Sequence, residues 1–142
     1  MIHFQLVALS GTKFDDDVYE VILPTLDGEI GVLQDHMPLV SVASTGAVAV
    51  RRDAKVSDSQ RDFFAISGGV IEISGNTLRV LVDEADHADD INEAEAEAAM
   101  ERARAMKSEA KDQVSLEHAQ SLVDRHAVRL QVAGLKRRHQ KR

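Results

Sequence analysis

The chain has 142 residues, with 24 acidic and 17 basic side chains, six histidines and no cysteine or tryptophan. That length suits one or two small domains, and the lack of cysteine excludes disulfide frameworks, thiolate nucleophiles and cysteine zinc sites. The net charge of −7 is divided unevenly: residues 1–90 hold 16 acidic and 6 basic side chains, residues 91–142 hold 8 and 11. Five of those basic residues fall in the last seven, Lys136-Arg137-Arg138-His139-Gln140-Lys141-Arg142. The division predicts two segments with different partners, and the acidic first part argues against nucleic acid as the main ligand. Residues 1–6 lack the basic region and apolar core of a signal peptide, and no apolar run reaches the roughly 18–20 residues of a membrane span. A soluble chain that meets a membrane only through a partner is expected.

Residues 2–9 alternate, placing Ile2, Phe4, Leu6 and Ala8 on one face of a strand. Asp15-Asp16-Asp17 reads as a solvated acidic loop without the spacing of a calcium-binding EF-hand, and Val18 to Leu23 as the next strand. Pro24 to Val40 is a punctuated stretch in which Asp27-Gly28 and Gln34-Asp35-His36-Met37-Pro38 form loops that present Glu29 and His36 to solvent. Residues 42–51 continue the β pattern, and residues 52–61 form a polar hairpin tip. Phe63 to Ile66, Val70 to Ile73 and Leu78 to Val82 are short strands separated by Gly68-Gly69 and by the turn pair Gly75-Asn76. About eight short strands with turn signals every 8–12 residues describe a sandwich or flattened barrel.

At Asp83 the character changes. Residues 83–90 read as an acidic connector, and Asp90 with Glu93 as an acidic capping box that opens a helix. Ala96, Ala99, Ala103, Met106 and Ala110 form one helical seam. Leu116, Ala119, Val123, His126/Ala127, Leu130 and Ala133 form a second, which ends near Gly134. The fold expected is α+β: a β-sandwich over residues 1–86 followed by an antiparallel hairpin of two helices over residues 87–142. An alanine seam removes little more than a methyl per contact from water, under about 1 kcal/mol each. The two helices are therefore easy to keep helical and easy to separate, as a two-position switch requires.

No catalytic set is visible, since the phosphate-binding P-loop, the G-x-S-x-G elbow and the H-E-x-x-H helix are all missing. No cofactor or metal is expected. His36 reads either as a loop histidine bonded to nearby backbone or as a contact at a protein interface.

The run Asp27-Gly28-Glu29-Ile30-Gly31-Val32-Leu33, then His36-Met37-Pro38-Leu39, resembles the N-terminal domain of the epsilon subunit of F-type ATP synthases. Ser67-Gly68-Gly69 with its following strand, Leu78 to Val82, and the Ala/Glu/Arg-rich helix after an acidic segment continue the resemblance over essentially the whole chain. The resemblance implies a non-catalytic subunit of the central stalk of a proton-translocating synthase, at the cytoplasmic face of the bacterial plasma membrane. Its sandwich would bind the gamma subunit and the c-ring, coupling proton flow to rotation. Its helices would lie against the sandwich or extend toward the acidic catalytic alpha and beta subunits and restrain ATP hydrolysis. Glu29, His36, Met37 and Pro38 fall in the rotor-facing region on this basis, and Arg125, Arg129, Lys136, Arg137 and Arg138 on the regulatory helix. One departure concerns ATP, which some bacterial members bind through I/L-D-x-x-R-A. Here the run is Ile91-Asn92-Glu93-Ala94-Glu95-Ala96, with a carboxylate in place of the arginine, so weak or no ATP binding is expected. The rival class is a freestanding adaptor whose basic tail binds acidic protein or nucleic acid.

Overall fold

The structure, a computed structural model, describes residues 1–140, with backbone alone for Ser59 and residues 137–140. Ten strands, β1 (Ile2–Ala8), β2 (Gly11–Val18), β3 (Glu20–Thr25), β4 (Gly28–Leu33), β5 (Leu39–Ala43), β6 (Gly46–Arg51), β7 (Asp62–Ile66), β8 (Gly69–Ser74), β9 (Thr77–Val82) and β10 (Ala85–His87), precede helices α1 (Glu93–Glu109) and α2 (Gln113–Gln140). The strands run in the order β10-β7-β6-β3-β5-β8-β9-β1-β2, with β4 also paired to β3, and wrap into a nearly closed barrel. All pairings are antiparallel except β1 with β9.

The alternation of β1 is realised in full: Ile2, Phe4, Leu6 and Ala8 are buried, and the residues between them are half-exposed. Phe4 and Phe14 meet at 5.3 Å between ring centres, and Phe14 and Phe64 at 5.9 Å edge to face, so three of the four phenylalanines run continuously through the barrel core. Two stretches depart from the sequence reading. Asp15-Asp16-Asp17 is no loop but the middle of β2, paired with β1. Only Phe14 and Val18 of that strand point inward; the carboxylates face water and blunt an edge strand against further pairing. The acidic connector likewise contains β10, whose Ala85, Asp86 and His87 pair with Ile66, Ala65 and Phe64.

The Ser67-Gly68-Gly69 motif has a steric cause. A Cβ on Gly69 would sit 2.0 Å from the carbonyl oxygen of Leu81, and one on Gly68 would sit 3.1 Å from that of Ala43. Ser67 is buried; its Oγ accepts from the Glu84 N–H at 2.9 Å, and its own N–H donates to the Glu84 carbonyl at 3.0 Å. The motif thus fixes where the chain leaves the barrel.

Helix α1 is capped two residues later than the Asp90/Glu93 reading. Residues 88–90 form a short 3-10 turn, and the Asn92 side chain accepts from the Glu95 N–H at 3.1 Å. Ala96 and Ala103 are buried and Ala99 is half-buried in the seam, as read; Met106 is 43% exposed near the hairpin tip. Helix α2 runs past Gly134 to Gln140, because that glycine is buried inside the helix rather than ending it. Of the pair His126/Ala127, His126 is the half-buried member and Ala127 is exposed. Val132, outside the predicted seam, is fully buried against the barrel with Phe63, Ala65 and Ala88. Helix α2 therefore rests on β6 and β7, where Ala47 and Ala49 leave room for it.

Candidate functional site

Two surfaces stand out, one on the barrel and one along α2. On the barrel, Glu29 and the His36-Met37-Pro38 loop are not brought together. Glu29 lies opposite Pro24 beside the β3–β4 turn, whereas Leu33, which leads into the loop, lies opposite Glu20. Four residues of strand at about 3.3 Å each separate them, so they occupy opposite ends of β4. Glu29 is exposed beside Leu26, itself 75% exposed. His36 is half-buried, and its Nδ1–H donates to the Met37 carbonyl at 2.7 Å; Met37 is 72% exposed and Pro38 is exposed.

Level with the β3–β4 turn, where Thr25 pairs with Ala43, lies an apolar row that the sequence pattern did not single out. Val42 pairs with Val70, Val70 with Leu81 and Leu81 with Val7, so four apolar side chains from β5, β8, β9 and β1 stand abreast on the outer face. Val42, Val70 and Leu81 are 52%, 45% and 44% exposed, and Val40 beside them is 74% exposed. Adjacent strands lie about 4.8 Å apart, so the row is contiguous rather than scattered.

The second surface is a charge ladder. Arg125, Arg129 and Lys136 recur at +4 and +7 on one face of α2. Arg125 pairs with Glu84 at 3.3 Å, Arg129 with Asp86 at 3.3 Å, and Lys136 with Asp89. The inward turn of Ala85 sets the neighbouring Glu84 and Asp86 on the helix side, and Ser67 holds Glu84 in place. These three carboxylates were missed as site residues, although the acidic run was visible. A further signal was the unbroken burial of Phe63-Phe64-Ala65-Ile66, which a strand covered on both faces requires. Arg137 and Arg138 lie on α2, but their side chains fall outside the described residues. An open cleft beside the ladder is lined by Lys13 and Arg129 but also by Asp83, Glu84 and Asp86, an unfavourable setting for phosphate.

His126 sits inside the ladder. Its Nδ1 is buried without a hydrogen-bond partner among the described residues. Burial, then Arg129 and Arg125, with Arg102 of α1 adding to them and Glu84 opposing, hold its pKa below the usual histidine value. The docked helix thus binds this proton less readily than a released one. Docking contributed by neutral His126 is complete above about pH 6.5 and is lost as pH falls from there through the depressed value. Protection of the amides along residues 120–135, relative to their intrinsic exchange at each pH, is expected to fall between about pH 7.5 and pH 5.5, and His126→Gln to flatten that profile. His3, whose pKa is raised by hydrogen bonds to Asp17 and Asp15, titrates in the opposite sense but on the β1–β2 pair, remote in sequence from the helical reporters.

Comparison with known proteins places the chain in a family. The family model for the beta-sandwich domain of the ATP synthase Delta/Epsilon chain matches residues 1–88. The ATP synthase epsilon chain of Halalkalibacterium halodurans is 32% identical over 134 residues, covering 94% of this chain and 97% of its own. The chain belongs to the ATP synthase epsilon chain family. The epsilon chain of Roseiflexus sp. is 38% identical over 98 residues, covering 69% of this chain and 67% of its own length.

Solved structures extend the likeness of fold to nearly the whole chain. A chain in the Euglena gracilis mitochondrial ATP synthase, OSCP/F1/c-ring in rotational state 1, superposes with a TM-score of 0.76 at 23% identity, covering 94% of this chain and 81% of that one. One in the central stalk/c-ring of Tetrahymena thermophila mitochondrial ATP synthase gives 0.60 at 13%, covering 92% and 95%. In this epsilon-family chain no described helix is long and apolar enough to cross a membrane. The run Ile91 to Ala96 is occupied by helix capping: Asn92 holds the Glu95 amide, and Glu93 and Glu95 add negative charge to the first turn.

Proposed function

We propose that the chain is a non-catalytic subunit of the central stalk of a proton-translocating rotary ATP synthase, coupling c-ring rotation to the catalytic core. The polar β3–β4 end with Glu29 suits the polar loops of the c-ring. The apolar row of Val42, Val70 and Leu81, and separately the exposed Met37 and Pro38 of the loop before β5, suit the gamma subunit, since exposed apolar surface of this kind marks protein docking. Membership of the family favours this reading over the freestanding adaptor, and the association with the cytoplasmic face of the bacterial membrane follows from the assembly.

The helices restrain ATP hydrolysis by leaving the barrel. The observation that carries this is the ladder: Arg125, Arg129 and Lys136, the cations suited to an acidic segment of the alpha and beta subunits, are already engaged by Glu84, Asp86 and Asp89 of the same chain. The barrel's carboxylates thus compete with external ones for the same face of α2. Adding the full chain to a catalytic core that lacks it should slow ATP hydrolysis, whereas residues 1–88 should bind without slowing it. Binding of both without slowing by either would keep the stalk role and remove the restraint; binding by neither would remove the stalk role.

Glu93 and Glu95 at the start of α1, and the carboxylates of the neighbouring cleft, disfavour a nucleotide phosphate. Calorimetric titration with millimolar ATP is expected to give no saturable heat, and a dissociation constant at or below the millimolar range would overturn this.

A further inference from the structure

The loop that displays His36 and Met37 contains a conformation uncommon outside glycine. Asp35 has φ +61°, in the left-handed region that aspartate and asparagine adopt more readily than other side chains but still at some cost. Such a geometry persists where the surroundings fix it. Within the loop the His36 N–H donates to the Leu33 carbonyl at 3.2 Å. The Asp35 N–H, however, donates across the fold to Oδ1 of Asn76 at 3.0 Å, a residue 41 positions away.

Asn76 is placed for this by the β8–β9 turn. Gly75 (φ +57°) and Asn76 (φ +58°) form a two-residue turn with both residues left-handed, which matches the twist of the strands it joins. Asparagine tolerates that conformation, as glycine does, but only asparagine brings an amide side chain with a donor and an acceptor. Both are used here. Oδ1 takes the Asp35 amide, while Nδ2 donates to the Met1 carbonyl at 2.9 Å. The Asn76 main-chain carbonyl also accepts from the His3 N–H at 3.2 Å. The Met1 ammonium in turn donates to Oε1 of Gln34, the residue before Asp35. Three segments far apart in the chain, the N-terminus, the 34–38 loop and the β8–β9 turn, are tied at one half-buried side chain.

We propose that Asn76 is the positioning residue of the His36-Met37-Pro38 loop: it holds the loop in the one conformation that presents Met37 to the stalk partner. This rests on the reading that the loop meets gamma. No feature of the 34–38 segment itself supplies the restraint on the Asp35 amide, so the presentation of Met37 depends on a residue that makes no contact with the partner.

The test uses the full chain and a catalytic core that contains gamma but lacks this subunit. Asn76→Gly keeps the left-handed turn and loses both side-chain bonds, so the barrel should remain folded. Asn76→Asp keeps an acceptor for the Asp35 amide and loses the donor to Met1, and should fall between. Asn76→Gly is expected to speed exchange of the Asp35 amide by about a hundredfold, because its opening no longer breaks a cross-fold bond. It should weaken binding to the core about tenfold by loosening the loop. A purely structural effect would weaken binding equally in any background, whereas a positioning effect should shrink to under about threefold once Met37→Ala has removed what is being positioned. Unchanged Asp35 exchange in Asn76→Gly overturns the positioning role, and so does an undiminished penalty in the double variant. If Met37→Ala alone leaves binding intact, the placement of the loop against gamma is what fails, and the role of Asn76 in that contact falls with it.

Discussion

Replacing Glu84, Asp86 and Asp89 together by Gln, Asn and Asn increases the restraint on ATP hydrolysis rather than relieving it. The docked state of α2 is held by one small apolar cluster, centred on Val132 against Phe63, Ala65 and Ala88, and by the three ion pairs. Arg125 and Arg129 are mostly covered, with side chains 29% and 23% exposed, but Glu84 and Asp89 are more than half exposed, so solvent screens the pairs. Each contributes about 0.5–1 kcal/mol on that account. Losing three shifts the docked-to-released ratio by roughly 2 kcal/mol, about thirtyfold, while leaving every side-chain shape in place. Released cations are then free for the acidic catalytic subunits. The measurement is hydrolysis by the core with wild-type or variant chain added, together with amide exchange over residues 120–135. Added salt should raise exchange in the wild type and have little effect on the variant, because the pairs it screens are gone. Equal restraint and equal exchange in both proteins would show that charge does not hold the helix.

The second large effect is on folding. Gly69→Ala places a methyl 2.0 Å from the Leu81 carbonyl oxygen and 2.9 Å from Cγ1 of Val82. Neither side can yield easily, since Gly69 is paired on one side with Ala43 and on the other with Val82. Separating β8 from β9 enough to admit it costs about 3 kcal/mol, a large part of the stability of a domain this size. Gly31→Ala is the matched control: its Cβ meets nothing nearer than Oε2 of Glu20 at 4.0 Å, and it should change stability by less than about 0.5 kcal/mol. Urea unfolding followed by circular dichroism compares the two. A Gly69→Ala midpoint equal to that of Gly31→Ala would show that the strand pair opens without cost. The consequence reaches the ladder, because the Ser67–Glu84 bonds lie at the same end of β8.

How much of this was legible varied with the range of the interaction. Period-two burial wrote β1, β8 and β9 plainly, and the Gly75-Asn76 pair marked its turn, because these depend on neighbours in sequence. Asp15-Asp16-Asp17 read as a loop because three adjacent carboxylates carry no inward pattern; only pairing with β1 makes them strand, and the inward positions are Phe14 and Val18 on either side. The capping of α1 moved to Asn92 because the 3-10 turn at 88–90 uses the preceding acids, a local competition that a motif does not reveal. Glu29 and His36 were grouped as exposed residues of one punctuated stretch, but β4 runs between them and carries them to its opposite ends.

Sequence by itself determined the fold class, the two-part organisation, the alanine seam and the concentration of cations toward the end of the chain. These are properties of spacing, propensity and charge order, which a chain carries wherever it folds. Only the tertiary structure decided that the acids of residues 84–89 engage Arg125, Arg129 and Lys136, that Val42, Val70, Leu81 and Val7 form one apolar row, and that Asn76 holds the Asp35 amide. Each joins segments tens of residues apart, and which of them meet is set by strand register and by the exit of the chain at Ser67 and Glu84. Register is a property of the whole sheet, fixed when many weak pairings agree, and no single stretch of the sequence contains it.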